Sequence, residues 1–113
     1  RVVNNEELTK LNKKGVHPKY RKRNIKLKSL TDILNDIKWL PKSFDYLNVD
    51  CENLDLEVIK SNDFDFFRPK IITIEDSSSD DKSTIYKYLS KLGYKKEGQF
   101  SLSKLFVDET VQF

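Results

Sequence analysis

The stretch FDYLNVDCENLDLEVIK, residues 44–60, decides the fold because an apolar run changes within a few residues into an amphipathic one. Residues 44–49 predict a β-strand, and residues 53–60 predict a helix. Two acids, Asp50 and Glu52, lie between them, where the chain leaves the predicted strand. The inward side chains of the helix are predicted to be Leu54, Val58 and Ile59.

Similar patterns on both sides predict further elements. Upstream, Ile25 and Leu27 alternate with lysines, which predicts a short half-buried strand. Ser29 then precedes apolar residues at helical spacing, so we expect it to cap a helix, with Trp39 and Leu40 packing at its end. Downstream, the patterns predict a strand at residues 70–75, a helix at 83–93 and two antiparallel strands at 94–100 and 103–108.

Strands that alternate with helices are typical of an α/β fold with a parallel sheet. Residues 70–75 are almost continuously β-branched and apolar, which favours a strand covered on both faces. The last two strands would add an antiparallel pair at one edge. We therefore expect a mostly parallel sheet with a C-terminal antiparallel hairpin.

The composition excludes several classes of protein. The chain has 113 residues, enough for one domain. Cys51 is the only cysteine, so no internal disulfide can form, and with the single histidine, His17, it cannot supply four zinc ligands. No apolar run reaches the length of a membrane span, and the three glycines are too scattered for a phosphate-binding loop. A reducing, cytoplasmic setting is expected.

Positive charge is concentrated in residues 1–28, which contain ten Lys and Arg but only two Asp and Glu. Residues 1–24 are expected to form a basic segment, with a weak helix at 4–14 followed by a loop. Such a segment can bind nucleic acid or another anionic surface, but it is more often a solvated linker. Tyr20 is its only aromatic residue, so stacking on bases is poorly supported. A non-catalytic domain that binds an anionic polymer is one alternative function.

Acidic residues stand at the ends of two predicted strands. Asp50 and Glu52 follow the first, whereas Glu75 ends the second and Asp76 comes next. Ligands of open α/β sheets bind outside the carboxyl ends of the strands, so these acids are candidate site residues. Close carboxylates can act as a general base toward a hydroxyl or hold a hard cation. Alternatively, Asp50 or Glu52 simply caps the next helix. Asp76 begins the polar loop at 76–82 and is expected to be solvated.

Several segments resemble the C-terminal half of the FkbM-type methyltransferases. DYLNVDCENLDLEVIKSNDF, residues 45–64, is similar to that family's strand with an Asp-x-Glu-Gly signature and its Leu-rich helix, and RPKIITIE, residues 68–75, to its next strand. KLKSLTDIL upstream and IYKYLSKLGY and LFVD downstream extend the resemblance over Ile25 to Asp108. It implies a partial Rossmann-like sheet of the class I methyltransferases, S-adenosylmethionine as donor, and a hydroxyl of a sugar, glycan or polyketide as acceptor.

The resemblance also implies roles for individual residues. Asp50 and Glu52 match the signature acids and are the expected catalytic residues, with Asp50 as base and Glu52 supporting it. Glu75 matches the acid that ends the next strand, and Asn53 replaces the signature glycine; both are secondary candidates for contact with substrate or metal. Asn tolerates left-handed backbone angles, so the turn is expected to persist. Mg²⁺ is a minor alternative at these strand ends, and no metal site is predicted.

The cofactor-binding part of the family has no recognisable counterpart in the sequence. Neither the glycine-rich turn nor the ribose-binding acid is present in residues 1–28. We therefore expect residues 25–113 to be the C-terminal half of a methyltransferase domain, with no cofactor-binding residue of its own. An inactive pseudo-methyltransferase is a second alternative. The absent strands would leave an open sheet edge, through which copies of the chain are expected to self-associate.

Overall fold

The computed structural model describes residues 21–111 and shows a four-stranded sheet with two of the three described helices packed against one face. The helices are α1 (Leu30–Asn35), α2 (Asp55–Lys60) and α3 (Thr84–Lys91), and the strands are β1 (Tyr46–Val49), β2 (Ile71–Glu75), β3 (Tyr94–Phe100) and β4 (Ser103–Asp108). The strands lie in the order β1-β2-β4-β3. The helix predicted at 4–14 lies outside the described residues.

The prediction of a mostly parallel sheet is wrong. Within residues 21–111, β1 and β2 form the only parallel pair, whereas β4 runs antiparallel to both of its neighbours, β2 and β3. The predicted hairpin is confirmed, and because its second strand lies against β2, it contributes to two of the three strand pairings. The fold is therefore mixed α/β with one parallel pair.

The strand predicted around Ile25 and Leu27 does not form. These side chains are 67% and 88% exposed, and residues 21–29 adopt no regular secondary structure. A strand needs a neighbour that satisfies its backbone and covers its apolar face, and two apolar residues among lysines bury too little to secure one. In the described part of the chain β1 pairs with β2 alone, so its other edge is open. Self-association through that edge stays a prediction.

The core lies between the sheet and helices α2 and α3. In β2, Ile72 and Ile74 are fully buried and alternate with half-exposed residues, so the prediction of a strand covered on both faces is wrong. The prediction that Leu54 points inward is wrong: this side chain is 53% exposed and lies one residue before the start of α2. The buried apolar cluster consists of Val49, Ile59, Phe64, Ile72, Ile74, Ile85, Leu89, Tyr94 and Phe106. Each of these aliphatic side chains stabilises the fold by roughly 1.5–3 kcal/mol.

Serine side chains begin two of the helices. Ser29 accepts a hydrogen bond from the N–H of Asp32 at 3.1 Å, and Ser83 accepts one from the N–H of Tyr86 at 2.9 Å. These bonds satisfy amides that have no partner within the helix. The predicted cap at Ser29 is confirmed. The predicted packing of Trp39 is wrong, since this side chain is 82% exposed and α1 ends before reaching it.

A buried lysine anchors the Ser-rich loop that follows β2. Lys104 of β4 is fully buried and donates to Oδ2 of Asp76 at 2.9 Å and to the carbonyl of Ser78 at 2.5 Å. Burial alone would raise the pKa of Asp76, but hydrogen bonds from Ser83, Lys104 and Ser78 outweigh burial and lower this pKa below its usual range. The expectation that Asp76 is solvated is wrong, because pairing of β4 with β2 brings a lysine beside it.

Arg68, which precedes β2, joins the ends of the hairpin strands. Its guanidinium donates to both carboxylate oxygens of Asp108, at 2.8 and 3.1 Å, and to the carbonyl of Leu92 at 2.6 Å. It also lies 4.8 Å from the ring centroid of Tyr94. Gly93 has a φ of +90°, and a Cβ there would lie 3.1 Å from Arg68 Nη2, so the predicted helix end at this glycine is confirmed.

We expect Asp108→Asn to lower the free energy of unfolding by about 2 kcal/mol, because Arg68 loses its counter-ion. Burial would raise the pKa of Asp108, but hydrogen bonds from Arg68 and Thr110 lower it below its usual range. A carboxylate of lowered pKa stabilises the fold above its usual pKa, and this is lost as the pH falls through the folded-state value. On acidification below about pH 4, the free energy of unfolding should therefore fall less in Asp108→Asn than in wild type.

Urea unfolding followed by circular dichroism at pH 7 and pH 3 measures both effects. Glu109→Gln is the matched control, because Glu109 is exposed and adjacent in sequence. Its stability is expected to lie within about 0.5 kcal/mol of wild type. Equal stability of Asp108→Asn and wild type at pH 7 would contradict the role given to the ion pair.

Candidate active site

The carboxyl ends of β1 and β2 bring Asp50 and Glu75 together. Val49 pairs with Ile74 in the parallel ladder, so the residues that follow them in sequence, Asp50 and Glu75, are neighbours at the same end of the sheet. The pKa of Glu75 responds first of all to Asp50, as expected of two carboxyl groups that lie close together. The fold thus joins two of the predicted candidates into one carboxyl pair, which we call the Asp50–Glu75 pair.

Proximity changes the acidity of Glu75. Its pKa is raised above its usual range, first by the hydrogen bond with Asp50 and then by the charge of Asp50; burial and the charges of Asp55 and Glu52 add smaller effects. Two adjacent carboxyl groups do not both ionise as readily as one alone, so the pair retains a proton to higher pH. Such a pair can hold or accept a single proton.

A tight turn follows Asp50 and redirects the chain into α2. The N–H of Leu54 donates to the carbonyl of Cys51 at 3.0 Å, and the two residues between them have positive φ, 50° at Glu52 and 73° at Asn53. Positive φ at both central positions is typical of a type I′ turn, which favours Asn or Gly. The expected tolerance of Asn53 for left-handed angles is confirmed. At Glu52 the same angles cost about 1–2 kcal/mol.

Asp55, the first residue of α2, belongs to this site and was not among the predicted candidates. It is 5% exposed, and its Oδ1 accepts a hydrogen bond from the N–H of Cys51 at 2.9 Å. The alternative in which Asp50 or Glu52 caps the helix is wrong, because the N-cap residue is Leu54 and no side chain caps this helix in the described structure. The sequence shows Asp55 only as an acid in a first helical turn, which is common on exposed helices.

The other two predicted site residues lie beside the pair without joining it. Glu52 and Asn53 are exposed, and Glu52 affects Glu75 through its charge, more weakly than Asp55 does. Asp50 is exposed and Glu75 is half-exposed, so the carboxyl pair is accessible from solvent. The fold therefore pairs Asp50 with Glu75 rather than with its sequence neighbour Glu52.

The surroundings of the pair offer no metal centre among the described residues. Across residues 21–111, no group of three or more His, Cys, Asp and Glu side chains is placed to hold a metal ion. Two clefts, of about 320 and 410 Å³, are lined by residues other than Asp50 and Glu75. Neither of these two clefts therefore contains the carboxyl pair.

Two other predictions can be compared with the structure only in part. His17 and most of the predicted basic segment lie outside the described residues, although residues 21–23 are exposed. Binding of an anionic polymer therefore stays a prediction. No helix in the part of the chain that the structure describes is long and apolar enough to cross a membrane.

A comparison with protein-family models gives a match to the methyltransferase FkbM domain over residues 5–96. The chain belongs to the FkbM methyltransferase family. The match spans α1, β1, α2, β2 and α3, and so includes both members of the Asp50–Glu75 pair. It begins inside the predicted basic segment and ends within β3. Searches of curated proteins and of solved structures give no match.

Membership of the FkbM family implies S-adenosylmethionine as methyl donor, but the described residues do not fit this cofactor. Nucleotide cofactors of α/β folds bind at a glycine-rich turn where the backbone approaches the ligand closely. The two described glycines serve other purposes: Gly93 ends α3 against Arg68, and Gly98 packs against Leu105. We therefore assign no described residue to the cofactor.

Replacing Asp50 should restore an ordinary titration at Glu75. We expect Asp50→Asn to lower the pKa of Glu75 toward its usual value, because the neighbouring negative charge is removed. Carbon-13 NMR titration of the Glu75 carboxyl carbon measures this shift. Asp45→Asn is the matched control, since Asp45 is an exposed acid just before the start of β1, and this variant should leave the Glu75 titration unchanged. An unaltered Glu75 pKa in Asp50→Asn would show that the two carboxyl groups are not neighbours.

Proposed function

We propose that the chain forms the acceptor side of an S-adenosylmethionine-dependent O-methyltransferase with a Rossmann-like sheet, and that Asp50 is its general base. The observation that carries the proposal is the Asp50–Glu75 pair at the carboxyl ends of adjacent parallel strands in a chain of the FkbM family. That end of an α/β sheet is where ligands bind. The single cysteine favours a cytoplasmic location.

The chemistry of the pair suits a hydroxyl acceptor. An ionised carboxylate only accepts hydrogen bonds, so Asp50 can orient an acceptor O–H and take its proton as the oxygen becomes nucleophilic. Glu75 can share that proton, because hydrogen bonding and repulsion between the two carboxyl groups raise its pKa. Glu52, exposed beside them, would support the site through its charge.

The charge of the site also restricts the acceptor. The negative charges of three residues, Asp50, Asp55 and Glu52, all raise the pKa of Glu75 at this end of the sheet. Phosphorylated or carboxylated acceptors would be repelled, whereas a neutral polyhydroxyl compound can donate hydrogen bonds to several of these oxygens. We therefore favour a neutral sugar, a glycan or a polyketide-like hydroxyl compound as the acceptor.

Turnover of the full-length gene product tests the assignment of Asp50. We expect Asp50→Asn to reduce kcat for transfer of labelled methyl groups to neutral hydroxyl acceptors by about 10²–10⁴-fold, the usual contribution of a general base. The loss should be smaller at high pH, where more of the acceptor is already ionised. Asp45→Asn should retain wild-type kcat. Unchanged turnover in Asp50→Asn would remove this residue from the mechanism.

The 113-residue chain by itself is expected to bind no S-adenosylmethionine, because its described residues provide no glycine-rich turn. Isothermal titration calorimetry of the chain with S-adenosylmethionine measures this directly. A methyltransferase of known cofactor affinity serves as the positive control for the same titrant. A dissociation constant in the micromolar range would contradict the proposal that the cofactor is bound by other residues.

A further inference from the structure

We infer that Asp55 is a positioning residue that holds the Cys51–Leu54 turn in the conformation in which Asp50 meets Glu75. Its catalytic meaning depends on the function proposed above, whereas its structural effect does not. The direction of its hydrogen bond is unusual for an acid in the first turn of a helix. A capping side chain normally precedes the helix and accepts from amides inside it. Asp55 is inside the helix and accepts from the N–H of Cys51, four residues earlier in the loop.

The hydrogen bond between Asp55 and the Cys51 amide fixes the backbone where the chain leaves the sheet. Asp50 precedes Cys51 directly, so fixing the Cys51 amide fixes the peptide unit that joins the two residues. The carbonyl of Cys51 is held on its other side by the N–H of Leu54 at 3.0 Å. Both ends of the turn are thus tied, one by the Asp55 side chain and one by the backbone.

The backbone of the turn explains why such a tie is needed. Glu52 has a φ of 50°, an angle that residues other than glycine seldom adopt, and Asn53 follows with a φ of 73°. Strained backbone persists only where the surrounding structure holds it. Neither Glu52 nor Asn53 is buried, so packing of their own side chains does not hold the turn. The buried Asp55 carboxylate, 5% exposed, is the side chain that does.

Asp55 affects the carboxyl pair in two ways that substitutions can separate. One is its hydrogen bond, which sets geometry; the other is its negative charge, which also raises the pKa of Glu75. Asp55→Asn keeps an oxygen that can accept from Cys51 but removes the charge. Asp55→Glu keeps the charge but adds a methylene, which moves the carboxylate away from the Cys51 amide. Asp55→Ala removes both.

Carbon-13 titration of the Glu75 carboxyl in these variants tests the inference. We expect Asp55→Asn to keep most of the elevation in the pKa of Glu75, and Asp55→Glu to lose most of it despite keeping its charge. In Asp55→Ala, the carboxyl group of Glu75 should titrate as it does in Asp50→Asn. Amide hydrogen exchange of Cys51 should remain slow in Asp55→Asn and become fast in the other two variants.

The positioning role would be contradicted if the pKa of Glu75 were normal in Asp55→Asn but still raised in Asp55→Glu. That result would show that Asp55 acts by charge alone. If Asp55→Ala does not fold, as thermal unfolding will show, the Asn and Glu variants still decide the question. These readouts need no turnover. Should Asp50→Asn retain full activity in the gene product, the proposed function fails while the positioning role of Asp55 is judged separately.

Discussion

The register of the single parallel strand pair is the constraint on which the candidate site depends. Val49 lies opposite Ile74, and both are buried in the same apolar cluster. A shift of one residue would turn these side chains away from the core, so burial specifies the register. Because the register is fixed by the apolar residues, the acids that follow them, Asp50 and Glu75, have to meet. The core therefore imposes a repulsive contact at the end of the sheet.

That contact works against folding at neutral pH. The pKa of Glu75 is raised in the folded chain, so protonation stabilises the fold below its usual pKa, and this contribution is lost as the pH rises through the raised value. The pKa values of Asp76 and Asp108 are lowered, so their contributions have the opposite dependence and are lost on acidification. The stabilising ion pairs each include a residue of β4, Lys104 or Asp108, whereas the repulsive acidic pair lies where β1 and β2 end. Unfavourable groups that a fold retains in one place are typical of functional sites.

The sequence predicts local features well because they follow from local periodicity and capping. The helix cap at Ser29, the turn at Asn53 and the end of α3 at Gly93 are of this kind. The sequence does not show contacts between distant segments. From the sequence alone, Lys104 cannot be distinguished from an exposed lysine of a strand. Its burial against Asp76 follows only from the pairing of β4 with β2.

In the candidate site, too, the sequence shows the individual residues but not the contacts between distant segments. Asp50, Glu52 and Glu75 are recognisable because each stands at the end of an apolar strand. The pairing of Asp50 with Glu75, rather than with Glu52, depends on which strands are neighbours. Asp55 could not be distinguished from an ordinary first-turn acid, because its distinctive property is burial against a loop amide. The strand predicted at Ile25 failed for a related reason, since alternation predicts a strand but not the neighbour that it needs.

A double-mutant cycle between Asp50 and Glu75 tests the central claim most directly. The free energy of unfolding at neutral pH is measured by urea denaturation for wild type, Asp50→Asn, Glu75→Gln and the double variant. Each single substitution should stabilise the chain by removing the same repulsion, so the double variant should gain clearly less than the sum of the two. Strictly additive effects would mean that the two carboxyl groups do not interact, and would contradict the account of the site.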